Sequence, residues 1–117
     1  MPSRSPDAAL LHIRDNIVFA RTIVEGLSYE AFEHDRLKFY AVTRCLEIVS
    51  EAVRRLSPEI LERHPGVPWR VIMDAGNFYR HSYDGVHERI VFVTVHESLP
   101  ELLLVVESEI PTGSGDS

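Results

Sequence analysis

The sequence is most restrictive in what it lacks. It has one cysteine, Cys45, so an intrachain disulfide framework and a cysteine-rich zinc site are both excluded, and a reducing compartment suits it. No apolar run approaches the ~20 residues needed to span a bilayer. The opening MPSRSPDA leads straight into an amphipathic pattern and lacks the character of a secretory signal. Positive charge is also scarce. Twelve Lys and Arg stand against 18 Asp and Glu, giving a net charge of −6 and a pI near 5.4. Such a chain does not coat nucleic acid through bulk charge, although a local basic patch or a basic partner stays possible. Glu-x-x-His pairs, His-Glu-x-x-His, a phosphate-cradling glycine loop and Gly-x-Ser-x-Gly are all missing. Asp84-x-x-His87 is the nearest approach to a ligand pair, and His12, His34, His64, His87 and His96 are scattered. No metal or other cofactor is expected.

What is present predicts one soluble, cytoplasmic, helical domain. The 117 residues fit a single unit, with 44% apolar residues for a core and 26% charged. We read residues 1–112 as that domain and 113–117 as a disordered tail. Ser5-Pro6-Asp7 opens a helix, and Leu10, Ile13, Ile17, Ala20, Val24 and Leu27 recur along one face of it. Gly26 and Ser28 break it, and Ser28 caps a short turn through Phe32. Val42, Cys45, Val49, Ala52 and Leu56 form the stripe of a second long helix, flanked by Leu46 and Val53. Charges at Arg44, Glu47, Glu51, Arg54 and Arg55 take much of its remaining surface. Ser57-Pro58-Glu59 starts a short helix that His64-Pro65-Gly66 ends, and Pro68 launches another from Trp69 to about Tyr83, where Asp84-Gly85 stops it. IVFVTV at 90–95 is β-branched and strand-like by propensity, but it has no strand to pair with and is read as a buried helix. Ser98-x-x-Glu101 has the form of a capping box for a last helix to about Ile110.

The stretch GNFYRHSYDG, residues 76–85, carries the chemistry. On a helix, Trp69, Ile72, Gly76, Tyr79 and Tyr83 share an apolar face, while Arg70, Asp74, Asn77 and His81 form a polar stripe roughly 16 Å long. The plain reading of that stripe is a solvated face. Arg70 and Asp74 would then be an ordinary i,i+4 ion pair, Trp69 a core anchor and Tyr83 a packing residue. The chemical reading joins His81, which moves protons near neutral pH, to Arg80, which can hold a phosphate through paired hydrogen bonds. Imidazole, guanidinium and a polar amide are what cleavage of an RNA backbone requires when its own 2′-hydroxyl is the nucleophile.

Over about Leu11 to Ile110 the chain resembles the HepT-like branch of the HEPN domains. The resemblance rests on GLSYEAF, LEIVSEAVRRLSPEI, HPGVPWRVI, RHSYDGV and ESLPEL, in that order, with PWR and the later His-x-Tyr the most specific. It implies an all-α antiparallel bundle with short additional helices, paired into a homodimer with active clefts at the interface. It also implies a metal-independent endoribonuclease toxin whose antitoxin, a minimal nucleotidyltransferase, can adenylylate its tyrosine. The family motif Arg-x-x-x-x-His-x-Tyr places His81 and Tyr83 on its histidine and tyrosine, but Gly76 on its arginine. One reading is that Arg80, a turn later on the same face, leans back over residue 76 and replaces the missing guanidinium. In the other, the arginine is lost and the chain is a non-catalytic module that docks a nucleotidyltransferase. Under the first reading His81 and Arg80 are catalytic, Asn77, Arg70 and Asp74 position RNA, and Tyr83 is the modified hydroxyl.

Overall fold

The computed structural model describes residues 6–80 and 85–111. Those residues form seven helices and no strand: α1 (Pro6–Val24), α2 (Tyr29–Glu33), α3 (Arg36–Val53), α4 (Pro58–Arg63), α5 (Trp69–Arg80), α6 (Gly85–Val93) and α7 (Leu99–Glu109), with a π-helical turn at Thr94–Ser98. His81, Tyr83, the Ser5 cap, the Asp84 stop and the 113–117 tail lie outside the described residues.

The long helices form where apolar periodicity dictates. Leu10, Ile13, Ile17, Ala20 and Val24 of α1 are buried against Phe39, Val42, Leu46, Val49 and Val53 of α3. The α1–α3 packing is the most extensive in the molecule; α5 then packs on the next face of α3, and α7 on α1. Local chemistry sets the boundaries. Gly26 takes φ 74°, a left-handed conformation suited to glycine, just after α1 ends. Ser28 accepts from the Ala31 N–H at 3.0 Å, Asp35 from Lys38 N–H at 3.1 Å and Ser57 from Ile60 N–H at 3.3 Å, each satisfying a donor that a helix start leaves open. Trp69 is indeed a core anchor. Its indole N–H reaches the carbonyls of Leu61 (3.2 Å) and His64 (3.0 Å), tying α4 and its exit to the start of α5.

Two readings need correction. The capping box at Ser98 does not form: Ser98 keeps helical angles (φ −88°, ψ −40°) and makes no side-chain cap bond. Residues 85–109 instead run on as one helix, with Pro100 inside it. A proline inside a helix lacks an N–H and crowds the carbonyl four residues earlier. The turn N-terminal to it widens to π geometry, with Leu99 N–H bonding Thr94 C=O. The second correction concerns 90–95. The segment is helical, as expected against its β-propensity, but only one side of it is buried. Val91 and Val95 enter the core, whereas Ile90 (41%) and Val93 (40%) are exposed.

Candidate functional site

Three groups meet where α3 and α5 cross: Gly76, Ser50 and Arg80. Gly76 N–H donates to Ser50 Oγ at 3.1 Å, and that hydroxyl donates in turn to the Met73 carbonyl at 3.0 Å. The exchange draws the helices together so closely that a Cβ on Gly76 would lie 2.8 Å from Ser50 Oγ. Position 76 therefore has no room for an arginine in this packing. One turn on, the Arg80 side chain leans back toward the N-terminus of α5, as long helical side chains do. Its Nη2 comes within 3.8 Å of where that Cβ would be.

Arg80 is half-exposed and already in contact with two neighbours. Nη2 donates to Asn77 Oδ1 at 3.0 Å, and Nη1 to Glu51 Oε2 at 3.4 Å. Asn77 thus stands beside Arg80. Arg70 does not: ten rises of ~1.5 Å put it roughly 15 Å up the helix axis from Arg80. Asp74 does not pair with Arg70 either. It lies 3.9 Å from Arg54, the residue that caps the end of α3, whose Nη2 also donates to the Met73 carbonyl at 2.7 Å. Asp74 is therefore part of the α3–α5 seam, and the i,i+4 pair expected from spacing is absent.

Beside Arg80 lies a pocket of about 240 Å³, lined by Phe39, Tyr40, Thr43, Arg44 and Glu47 of α3 and by Tyr79 and Arg80 of α5. Arg44 donates to Glu47 at 3.0 Å. Tyr79 is buried, which raises its phenol pKa above the ordinary value, partly offset by a hydrogen bond with the Thr94 side chain. Arg44, Glu47 and Glu51 recur every three to four residues, so part of the polar edge of α3 was visible as a row of charges. Nothing in the spacing showed that it faces the end of α5. A larger groove of about 480 Å³ lies between α3, α5 and α7, with Leu46, Val49, Ile72, Leu99 and Leu102 among its walls. It is mostly apolar and includes none of Arg70, Asp74, Asn77 or Arg80.

Cys45 is buried, which raises its thiol pKa and keeps it protonated, so it is a core residue and not a nucleophile. Among the described residues, no three His, Cys, Asp or Glu side chains converge as a metal site would need, and no helix is long and apolar enough to cross a membrane.

The described residues form an all-α bundle, and comparison with known proteins names the family. The HepT-like ribonuclease family matches residues 13–109. A protein of Caldanaerobacter subterraneus subsp. tengcongensis whose name proposes an RNase is 37% identical over 99 residues, covering 85% of this chain and 88% of its own. One from Thermococcus cleftensis, whose name proposes a ribonuclease HepT, is 31% identical over 99 residues, 85% of this chain and 90% of its own. A Methanocaldococcus jannaschii protein, also named for an RNase, is 30% identical over 102 residues, 87% of this chain and 84% of its own. No solved structure matches the chain. The chain belongs to the HepT-like ribonuclease family.

Proposed function

We propose that the protein is a metal-independent endoribonuclease in which Arg80 supplies the guanidinium that the family motif places at position 76. The observation that carries this reading is the 3.8 Å between Arg80 Nη2 and the Cβ position of Gly76. The guanidinium covers the place of the missing side chain, and Gly76 leaves room for it. In the mechanism, His81 takes the proton from the RNA 2′-hydroxyl, or returns one to the leaving 5′-oxygen. Arg80 holds the non-bridging oxygens as negative charge builds on phosphorus, where a fixed cation counts most. Asn77, bonded to Arg80, orients the guanidinium. Arg70 and Asp74, farther along α5, bear on substrate only if RNA follows the helix upward.

We assign the protein to the toxin side of a toxin–antitoxin pair acting in the cytoplasm as a homodimer. Its partner would be a nucleotidyltransferase that attaches AMP to Tyr83. An added bulky anion beside His81 excludes an incoming phosphate by volume and by charge. The Glu51 contact favours a second reading, a non-catalytic docking module, because Arg80 is already partly neutralised. RNA cleavage by purified wild type, His81→Ala and Arg80→Ala, all in EDTA, separates the two. Cleavage by wild type that both substitutions abolish supports the enzyme. Cleavage that needs His81 and ignores Arg80 removes the relocated arginine. No cleavage of tRNA or mRNA by any of the three leaves the docking module.

A further inference from the structure

The pocket next to Arg80 contains an anomaly. Thr43 lines it, is 8% exposed, and its Oγ1 is buried with no hydrogen-bond partner among the described residues. A buried orphan hydroxyl destabilises a fold, and valine would fill the same space without that penalty. Threonines inside helices commonly satisfy this hydroxyl on the carbonyl four residues earlier, as Thr22 and Thr94 do here at 2.8 Å. Thr43 does not.

The rim of the pocket holds a second anomaly. Tyr40 is 58% exposed, yet it is fixed in place. Arg36 stacks over its ring at 5.0 Å and donates to its hydroxyl at 3.1 Å. The same guanidinium is anchored on Glu88 at 2.5 Å, a carboxylate only 5% exposed. A buried acid thus holds a cation that holds an exposed aromatic ring. An exposed ring fixed in advance loses little conformational freedom when something stacks on it.

We infer that this pocket is a nucleobase subsite: one base of single-stranded RNA, adjacent to the phosphate held by Arg80, stacks on Tyr40, and its edge takes up the Thr43 hydroxyl once that buried side chain turns about χ1 into the pocket. Sequence-specific contacts to RNA are made mostly to unstacked bases, through aromatic faces and polar groups at the base edge. The pocket supplies the aromatic face directly and the hydroxyl on rotation of Thr43, both beside Arg80. Arg44 and Glu47 offset each other across 3.0 Å, and the remaining lining cation, Arg80, serves the phosphate next to the base. Tyr40 provides affinity for any base, and Thr43 selects among them. The inference rests on the reading of Arg80 as a phosphate ligand.

The test titrates uncleavable single-stranded 2′-O-methyl oligonucleotides of all-adenine, all-cytosine and all-uracil sequence into the full chain by fluorescence anisotropy. Wild type, Tyr40→Leu and Thr43→Val are compared, and the same proteins are assayed on unmodified RNA. Tyr40→Leu is expected to weaken binding of every oligonucleotide about tenfold, within the range for one base–aromatic stack. Thr43→Val should compress the differences among the three bases while its melting temperature stays level or rises, so loss of fold cannot explain the change. Failure of wild type to bind any of them overturns the subsite, as do variants that bind and discriminate like wild type. A change of oligomeric state in Tyr40→Leu, seen by light scattering, also overturns it and assigns the ring to a protein contact. Binding with the expected dependences but without RNA cleavage supports the subsite and removes the catalytic reading. Cleavage equal in all three proteins does the reverse.

Discussion

The dipeptide Arg-His occurs twice, at 63–64 and 80–81, and each arginine is the last residue of its helix, α4 or α5. Arg63 places two nitrogens on the Glu109 carboxylate at 2.6 and 3.0 Å, and His64 Nε2 adds a third donor at 2.6 Å. Glu109 is 12% exposed, and its pKa falls to about 2, chiefly through the Arg63 bonds and then through His64. That cluster is closed, and it fastens the end of α7 to the end of α4. Arg80 instead meets a neutral amide at 3.0 Å and a half-exposed carboxylate at 3.4 Å. An incoming phosphate can displace contacts of that kind far more readily than a bidentate clamp. The same two residue types therefore make a joint in one place and a candidate site in the other. What differs is the acid that the fold sets opposite the arginine.

Four experiments test this contrast, the largest expected effect first. Arg80→Ala should reduce RNA cleavage about 100-fold or more, the usual loss when one transition-state donor is removed. Arg63→Ala should leave the cleavage rate unchanged, and equal losses in the two variants would erase the distinction. Gly76→Ala should destabilise the fold by roughly 1–2 kcal/mol by overpacking against Ser50, despite the ~1 kcal/mol that alanine gains over glycine in a helix. Denaturant melts would measure this, and adding Ser50→Ala should restore much of the loss.

The closed cluster also has a pH signature. Glu109 has a depressed folded-state pKa, so its contribution is complete above its ordinary value of 4.5 and is lost as pH falls toward about 2. The thermal midpoint of wild type should fall across that window. Glu109→Gln should be less stable at neutral pH and should lose less on acidification; parallel curves would show that the cluster adds nothing. The smallest effect is expected from Glu51→Gln, which frees Arg80 from its ion-pair partner. RNA affinity should rise about two- to fivefold at low salt and less at high salt, where exposed charges are screened.

The helical faces of α1 and α3, the caps at Ser28 and Ser57 and the breaks at Gly26 and His64-Pro65-Gly66 were legible because they depend on local periodicity and on backbone donors a few residues away. The capping box at Ser98 misled because the same Ser-x-x-Glu spacing can start a helix or lie inside one. Only the packing of 85–109 as one helix along the core chooses between them. Of the polar stripe of α5, Arg70, Asp74 and Asn77 are exposed and His81 lies outside the described residues; the three do not act as a unit, because Asn77 stays with Arg80 while Asp74 lies by Arg54. Thr43, Tyr40 and Glu51 were missed as site residues because each looks ordinary on its own helix.

The amino-acid sequence by itself determined the helical class and the family, since periodicity and motif spacing are properties of the chain, and it sets a glycine at position 76. Only the tertiary structure decided what that glycine does, because the effect depends on a second helix. Ser50 approaches close enough to exclude a side chain at 76, Arg80 folds back over the crossing, and the edge of α3 closes a pocket beside it.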